Sequence, residues 1–314
     1  MNLLGVEKLV FGVEDLALCK KFWRDFGMTE LADDDAHGLY ACASKAMVEV
    51  RRADDPTLPP AMVEGSTARE TVWGADNRDT VERIAEELSK DREVTVDEDG
   101  TVHSRDSEGY GIGFAVSRRV ALEPADTKYN APWQADRFDQ PAKFYKRGTP
   151  QHLAHVVFYA SDPEGTPAFY RDRLGFKLTD AYVGRGSFMR CGGAADHHNI
   201  FLMHVPGNLG FHHCCFELRD FHEVFGAGLA MHEKGWKTHI GPGRHNVTSA
   251  YYWYFRHPGG GAIEYGFDTD RVTDAWQPRL IEPTPGAFAE WSLEEGMARY
   301  QGLQRGVEAA DNAA

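Results

Sequence analysis

The chain has 314 residues, of which 42% are hydrophobic and 26% charged, and its formal charge is −14. That composition describes a globular protein with room for one large or two ordinary cores. The acidic balance argues against nucleic acid as a partner, because a phosphate-binding surface needs an excess of Lys and Arg. No apolar run approaches the roughly 20 residues needed to span a bilayer, so no membrane partner is expected either.

The N-terminus, MNLLGVEKLVFGVED, meets Glu7 and Lys8 after a few apolar residues and reads as a first strand, not a signal peptide. Residues 6–28 continue as strand, turn and helix, with the helix opening at Asp15 and ending near Gly27. A second strand–helix–strands pattern starts at Glu70–Asp76 and closes with DSEGYGIGF, 106–114. Residues 119–150, with Pro124, Pro132, Pro141 and Pro150, read as a connecting segment. LAHVVFYASDPEGTPAFYRDRLGF, 153–176, then repeats the opening: Val10-Phe11 matches Val157-Phe158, Asp15 matches Asp162, and Phe22-Trp23-Arg24-Asp25 matches Phe169-Tyr170-Arg171-Asp172. A fourth unit starts at His213–Asp220 and ends in HPGGGAIEY, 257–265, which aligns with 106–114. A repeat of roughly 147 residues means a duplicated domain. The expected division is an N-terminal domain over 1–120, a linker over 121–149, a C-terminal domain over 150–268, and an extension over 269–314 with some helix that lies over an opening in the second domain.

Differences between the copies point to chemistry. Twelve of the 14 histidines follow residue 150. Lys8 stands where the second copy has His155, and Gly113 where it has Glu264. His155, His213 and Glu264 lie on three separate strands, and two imidazoles with one carboxylate leave positions open on iron(II) for substrate and O₂. Any one of these residues alone is ordinary for a core or an edge strand; the three at equivalent module positions favour a ligand set in the second domain alone. FHHCCFEL, 211–218, looks at first like a compressed zinc cluster, but on a strand His213, Cys215 and Glu217 face one way and His212, Cys214 and Phe216 the other. Both cysteines read as buried wall residues. Cysteines 19, 42, 191, 214 and 215 are odd in number and irregularly spaced, which fits a reducing cytoplasm.

LAHVVFYASD, DHHNIFL, FHHCCFEL, GPGRHNVTSAYYWYF and HPGGGAIEYGF together resemble a type I extradiol (catechol 2,3-dioxygenase-like) ring-cleaving dioxygenase of the vicinal oxygen chelate, or glyoxalase–bleomycin resistance, superfamily. The resemblance covers the domain order of 1–268, with its specific motifs between 153 and 268. It implies an α+β fold of two tandem domains, each of paired βαβββ modules forming an open barrel, with a metal-free N-terminal half. It implies His155, His213 and Glu264 as iron(II) ligands, with manganese(II) as the other suitable metal. His198 is implied as an acid and base near bound O₂, His245 as a contact to the substrate hydroxyl or a stabiliser of the site's hydrogen-bond network, and Tyr254 as a hydrogen-bond partner of a catechol oxygen. The implied reaction inserts O₂ into a catechol-type ring to give a muconic semialdehyde-type product in aromatic-compound degradation, in a homo-oligomer. Arg244, Arg256 and Arg279 are candidates to pair with a substrate carboxylate, and Trp276 to help close the pocket. The fold also hosts glyoxalase-like isomerases or lyases and non-catalytic binding proteins, so fold alone decides nothing. Lys8 and Gly113 argue against a glyoxalase-type site shared between the halves, and a binding protein has no need of His198, His245 and Tyr254 beside a ligand set.

Overall fold

The computed structural model describes residues 1–293. Four βαβββ modules follow one another. The first comprises β1 (Leu3–Val13), α1 (Leu16–Phe26), β2 (Thr29–Asp33), β3 (His37–Ala41) and β4 (Met47–Arg52). The second comprises β5 (Thr67–Ala75), α2 (Arg78–Leu88), β6 (Thr95–Val96), β7 (Val102–Arg105) and β8 (Gly111–Val116). The third comprises β9 (His152–Tyr159), α3 (Gly165–Leu174), β10 (Lys177–Tyr182), β11 (Gly186–Arg190) and β12 (Ile200–Met203). The fourth comprises β13 (Phe211–Glu217), α4 (Phe221–Glu233), β14 (Thr238–His245), β15 (Tyr251–Arg256) and β16 (Ala262–Phe267). In every module the first strand pairs in parallel with the last, and the first strands of paired modules run antiparallel. The α+β fold of two tandem module pairs expected from the sequence is what forms.

Local signals place the helices. The Asp15 carboxylate accepts from the Leu18 amide at 2.9 Å, and Gly27 ends α1 in the left-handed region at φ 102°. Gly175 closes α3 the same way at φ 76°, and Asp220 caps α4 through the Glu223 amide at 2.8 Å. Helix α3 begins at Gly165, three residues after Asp162, whose carboxylate still accepts from the Gly165 amide at 2.8 Å.

Two sheets result, of eight strands (β2-β3-β4-β1-β5-β8-β7-β6) and of ten. The second sheet has ten strands because the C-terminal segment contributes β17 (Arg279–Ile281), parallel to β10, and β18 (Ala289–Ser292), antiparallel to β14. Strands β10 and β14 are otherwise the two edges of this sheet. Residues 279–292 therefore cross the open side of the half-barrel and are bonded to both of its rims. The remainder of the expected extension, with the helix anticipated for it, lies outside the described residues. One apolar core runs through both halves. Helix α1 of the first half contributes Trp23 and Phe26, which pack on Phe216 and Tyr265 of the second, and the Tyr265 hydroxyl donates to the Phe26 carbonyl at 2.6 Å.

Candidate metal centre

Cross-strand register builds the site. Cys215 on β13 stands opposite His155 on β9 and Glu264 on β16, and Glu264 stands opposite Tyr254 on β15. Side chains opposite one another in a sheet share a face, so these four form one row across the inner wall. His213, two residues before Cys215 on the same face, belongs to the next row. His155 Nε2 lies 3.3 Å from His213 Nε2 and 3.4 Å from Glu264 Oε2, and His213 Nε2 lies 3.6 Å from Glu264 Oε2. All three residues are buried.

Three donor atoms 3.3–3.6 Å apart suit a first-row metal bound at about 2.0–2.2 Å from each. The polar inventory agrees: Glu264 Oε2 is fully buried with no hydrogen-bond partner among the described residues, an orphan that is costly unless something else binds it. Burial and the neighbouring histidine His212 push the His213 imidazole well below its usual range, and burial does the same to His198. Burial raises the Glu264 carboxyl, but the imidazoles of His155, His245 and His213 that face it overcome this and hold it below the usual carboxylate range. Neutral imidazoles beside an ionised carboxylate are the forms that ligate.

Cys215 is closer to this set than its reading as a wall residue suggests. It is buried as expected, yet its Sγ lies within 4.8 Å of the donor atoms of His155 and Glu264. Burial, then the Glu264 charge, pushes its thiol well above the ordinary range. A soft thiolate would favour zinc or copper(I) over iron, whereas His213 offers an imidazole nitrogen 3.3 Å from His155 and 3.6 Å from Glu264.

The other expected residues surround the triad. The His198 ring lies against that of His155 at 4.1 Å. His245 Nε2 is 3.0 Å from the Tyr254 hydroxyl and 3.6 Å from Glu264 Oε1, and its Nδ1 faces the Phe288 carbonyl at 3.1 Å. His212 Nδ1 is 2.6 Å from His213 Nδ1, which makes His212 the ring behind that imidazole. All line a cavity of about 330 Å³ that extends past Val157, Phe188, Phe201, Ile240, Val247 and Phe288. Phe188 and Phe201 stack at 4.0 Å in its wall. Sequence reasoning missed this apolar wall, and it missed Asp180 and His197 behind His198, although an acid in the middle of KLTDAY was a visible signal.

The three candidate arginines are not placed to meet a substrate carboxylate. Arg244 bonds the Ser249 carbonyl at 2.9 Å and Glu290 at 3.0 Å. Arg279 is held by Asp180 and the Val247 carbonyl, and Arg256 is exposed outside the cavity. The cationic side chain that does line the cavity is Arg185, exposed at its mouth in the turn between β10 and β11. Trp276 donates to the Thr179 carbonyl at 3.0 Å and packs under Arg279, away from the cavity lining.

Comparison with known proteins agrees with the architecture and the resemblance. Residues 152–265 match the Glyoxalase/Bleomycin resistance protein/Dioxygenase superfamily. Metapyrocatechase 2 of Cupriavidus necator is 31% identical over 133 residues, 42% of this chain and 41% of that protein. An iron-dependent extradiol dioxygenase of Rhodococcus jostii is 30% identical over 145 residues, 41% of this chain and 47% of its own length. The matches thus span less than half of these curated relatives. The fold as a whole is similar to that of the Mn(II)-bound glyoxalase from Novosphingobium aromaticivorans, with a TM-score of 0.73 at 20% identity over 92% of this chain and 91% of the other.

Proposed function

We propose that the second half of the chain holds iron(II), with manganese(II) as the alternative, through His155, His213 and Glu264, and that the protein is an extradiol dioxygenase of catechol-type diols. The observation that carries this reading is the convergence of three buried donor atoms within 3.3–3.6 Å of one another on the wall of a cavity. A metal bound there would bring the two catechol oxygens and O₂ together at its open positions. Catechol must lose a proton to chelate, and the linked pair His245–Tyr254 is placed to take it and to hydrogen-bond the oxygen left behind. His198, against His155, supplies a second acid and base. The apolar wall excludes water from the reacting diol and accommodates an uncharged ring substituent. A carboxylate held against that wall would lie unpaired, with Arg185 standing only at the mouth of the cavity, so alkyl- or aryl-substituted catechols are the substrates proposed.

Such a diol gives a muconic semialdehyde-type product, which places the protein in aromatic-compound degradation. Confinement of the donor set to one half supports this reading over a glyoxalase-like site shared between halves. Anaerobically prepared protein with iron(II) is expected to consume O₂ and turn yellow on mixing with an alkyl- or phenyl-substituted catechol. Absence of O₂ uptake across a panel of catechols, with either metal, sinks the proposal.

A further inference from the structure

The His198 nitrogen that faces away from the cavity heads a buried chain of hydrogen bonds. His198 Nδ1 is 3.2 Å from His197 Nδ1, and His197 Nε2 is 2.8 Å from Asp180 Oδ2. Asp180 Oδ1 accepts from the Arg279 amide at 2.8 Å and from its Nε at 3.2 Å, while Oδ2, the oxygen that faces His197, also accepts from the guanidinium at 2.5 and 3.1 Å. His197 and Asp180 have no exposed side-chain surface. Arg279 belongs to the C-terminal segment and is fixed there by the Val247 carbonyl at 2.8 Å and by the face of Trp276. The loop carrying both histidines is pinned as well: Asn199 bonds the Ala154 carbonyl, Asp196 and the Cys191 amide, while the His197 amide donates to the Asp270 carbonyl.

The order of protons along this chain follows from what each group can do. A carboxylate only accepts. Burial raises the Asp180 carboxyl, but its bonds to His197 and Arg279 overcome this and hold it at about 2, so it is ionised. His197 therefore donates from Nε2; with a single proton on that ring, its Nδ1 is left as an acceptor. His198 must then donate from Nδ1, since two lone pairs facing each other in a dry site would leave both unsatisfied. That leaves the lone pair of His198 on Nε2, the nitrogen on the cavity side.

We propose that Asp180 and His197 are positioning residues that fix His198 in the Nδ1–H tautomer, so that Nε2 meets the substrate as a base, with Arg279 of the C-terminal segment anchoring the chain. The proposal rests on the dioxygenase reading only for what His198 meets in the cavity. Its logic is that of a carboxylate orienting a catalytic imidazole, extended by one ring.

Two measurements test it. In ¹⁵N-labelled full-length protein loaded with diamagnetic zinc(II), long-range ¹H–¹⁵N correlations are expected to show His198 protonated on Nδ1; protonation on Nε2 overturns the proposal. This readout needs neither catechol nor O₂, so an enzyme without O₂ uptake but with the Nδ1–H form defeats the functional reading and leaves this one standing. In Asp180→Asn, the amide that keeps its oxygen on the Arg279 backbone N–H and Nε sets its NH₂ at the place of Oδ2, against His197 Nε2, and gives up the Arg279 Nη2 bond there. That reverses the proton order and puts the His198 proton on Nε2. The iron-loaded variant is expected to lose about 100-fold or more in kcat on a substituted catechol, with KM within about threefold. A folded Asp180→Asn enzyme with kcat within about threefold of wild type also overturns it. If Asp180→Asn fails to fold, the wild-type tautomer decides.

Discussion

The two halves of the molecule share one register and differ at the positions that matter. On β1 and β5, Lys8 stands opposite Val72 as His155 stands opposite Cys215 on β9 and β13. On β5 and β8, Glu70 and Val72 stand opposite Gly111 and Gly113 as His213 and Cys215 stand opposite Ala262 and Glu264. The counterparts of the triad are thus Lys8, Glu70 and Gly113. Lys8 is paired with Glu49 at 3.0 Å and Glu70 with His103 at 2.7 Å, so the charged side chains at this end of the first half are neutralised by one another. A Cβ at Gly113 would lie 3.0 Å from Val72 Cγ2, which leaves little space for a third donor. The same backbone therefore hosts an ion-pair network in one half and unpaired donors in the other, and three residues decide which.

The largest expected effect comes from erasing that difference. His155→Ala, His213→Ala and Glu264→Ala are each expected to abolish stoichiometric iron binding, read as iron per folded chain, and to lower O₂ uptake by about 1,000-fold or more. Full iron occupancy in any of the three removes that residue from the ligand set.

A second prediction concerns the seam between the halves. His257 of the second half is buried among Phe11, Phe22 and Trp23 of the first, with ring centroids 4.7–5.0 Å away. Burial depresses its imidazole to about 3. A depressed histidine stays neutral in the fold while the unfolded chain takes up a proton below about 6.5. The stability it contributes is present above that pH and lost as pH falls from about 6.5 toward 3. The slope tends to roughly 1.4 kcal/mol per pH unit for this one group. Urea titrations at pH 7.5 and pH 5 are expected to differ by more in wild type than in His257→Phe; equal differences refute the assignment.

Much of this was legible in the sequence, for reasons particular residues make plain. The duplication showed because Phe-aromatic-Arg-Asp and a helix-ending glycine recur at matching places, and because both helices pack the same apolar face. His155 and Glu264 could be singled out by contrast with Lys8 and Gly113, and His213 as the residue that opens the strand HCCFEL. Strand alternation correctly separated Cys215 from Cys214, yet alternation is one-dimensional: that Cys215 falls between His155 and Glu264 depends on the register of three strands. The Asp180–His197 chain depends on a contact between residues 17 apart closed by an arginine 99 further on, and no local pattern encodes it. The arginines misled for the same reason, since a guanidinium beside a site motif gives no sign of which carboxylate it will find.

A smaller effect is expected from the paired charges of the first half. Glu70→Gln removes the carboxylate that His103 bonds, in a side chain that is almost wholly buried. The hydrogen bond to Glu70 holds the His103 imidazole above its usual range against the opposing effect of burial. The cost is expected at about 1–3 kcal/mol of unfolding free energy, with iron content unchanged. Loss of iron in this variant would mean that the first half shares in the metal site.

The smallest effect tests what the C-terminal segment adds to the second half and not to the first. Arg244 on β14 reaches Glu290 on β18 through a pair open to solvent on both sides, and it lies over the ring of Tyr251 on the outer surface. A pair of this kind contributes about 0.5 kcal/mol, and the β14–β18 backbone bonds remain without it, so Arg244→Met is expected to shift the melting temperature only slightly. Its informative readout is selectivity. Because Arg244 is committed to Glu290 and Ser249 and does not line the cavity, the ratio of kcat/KM for an alkylcatechol over a carboxylated catechol should stay within about twofold of wild type. A tenfold or greater loss confined to the carboxylated substrate would mean that the arginine leaves Glu290 when substrate arrives. The apolar wall would then no longer define the substrate, and the segment that bridges both rims would owe its place to recognition as well as to closure.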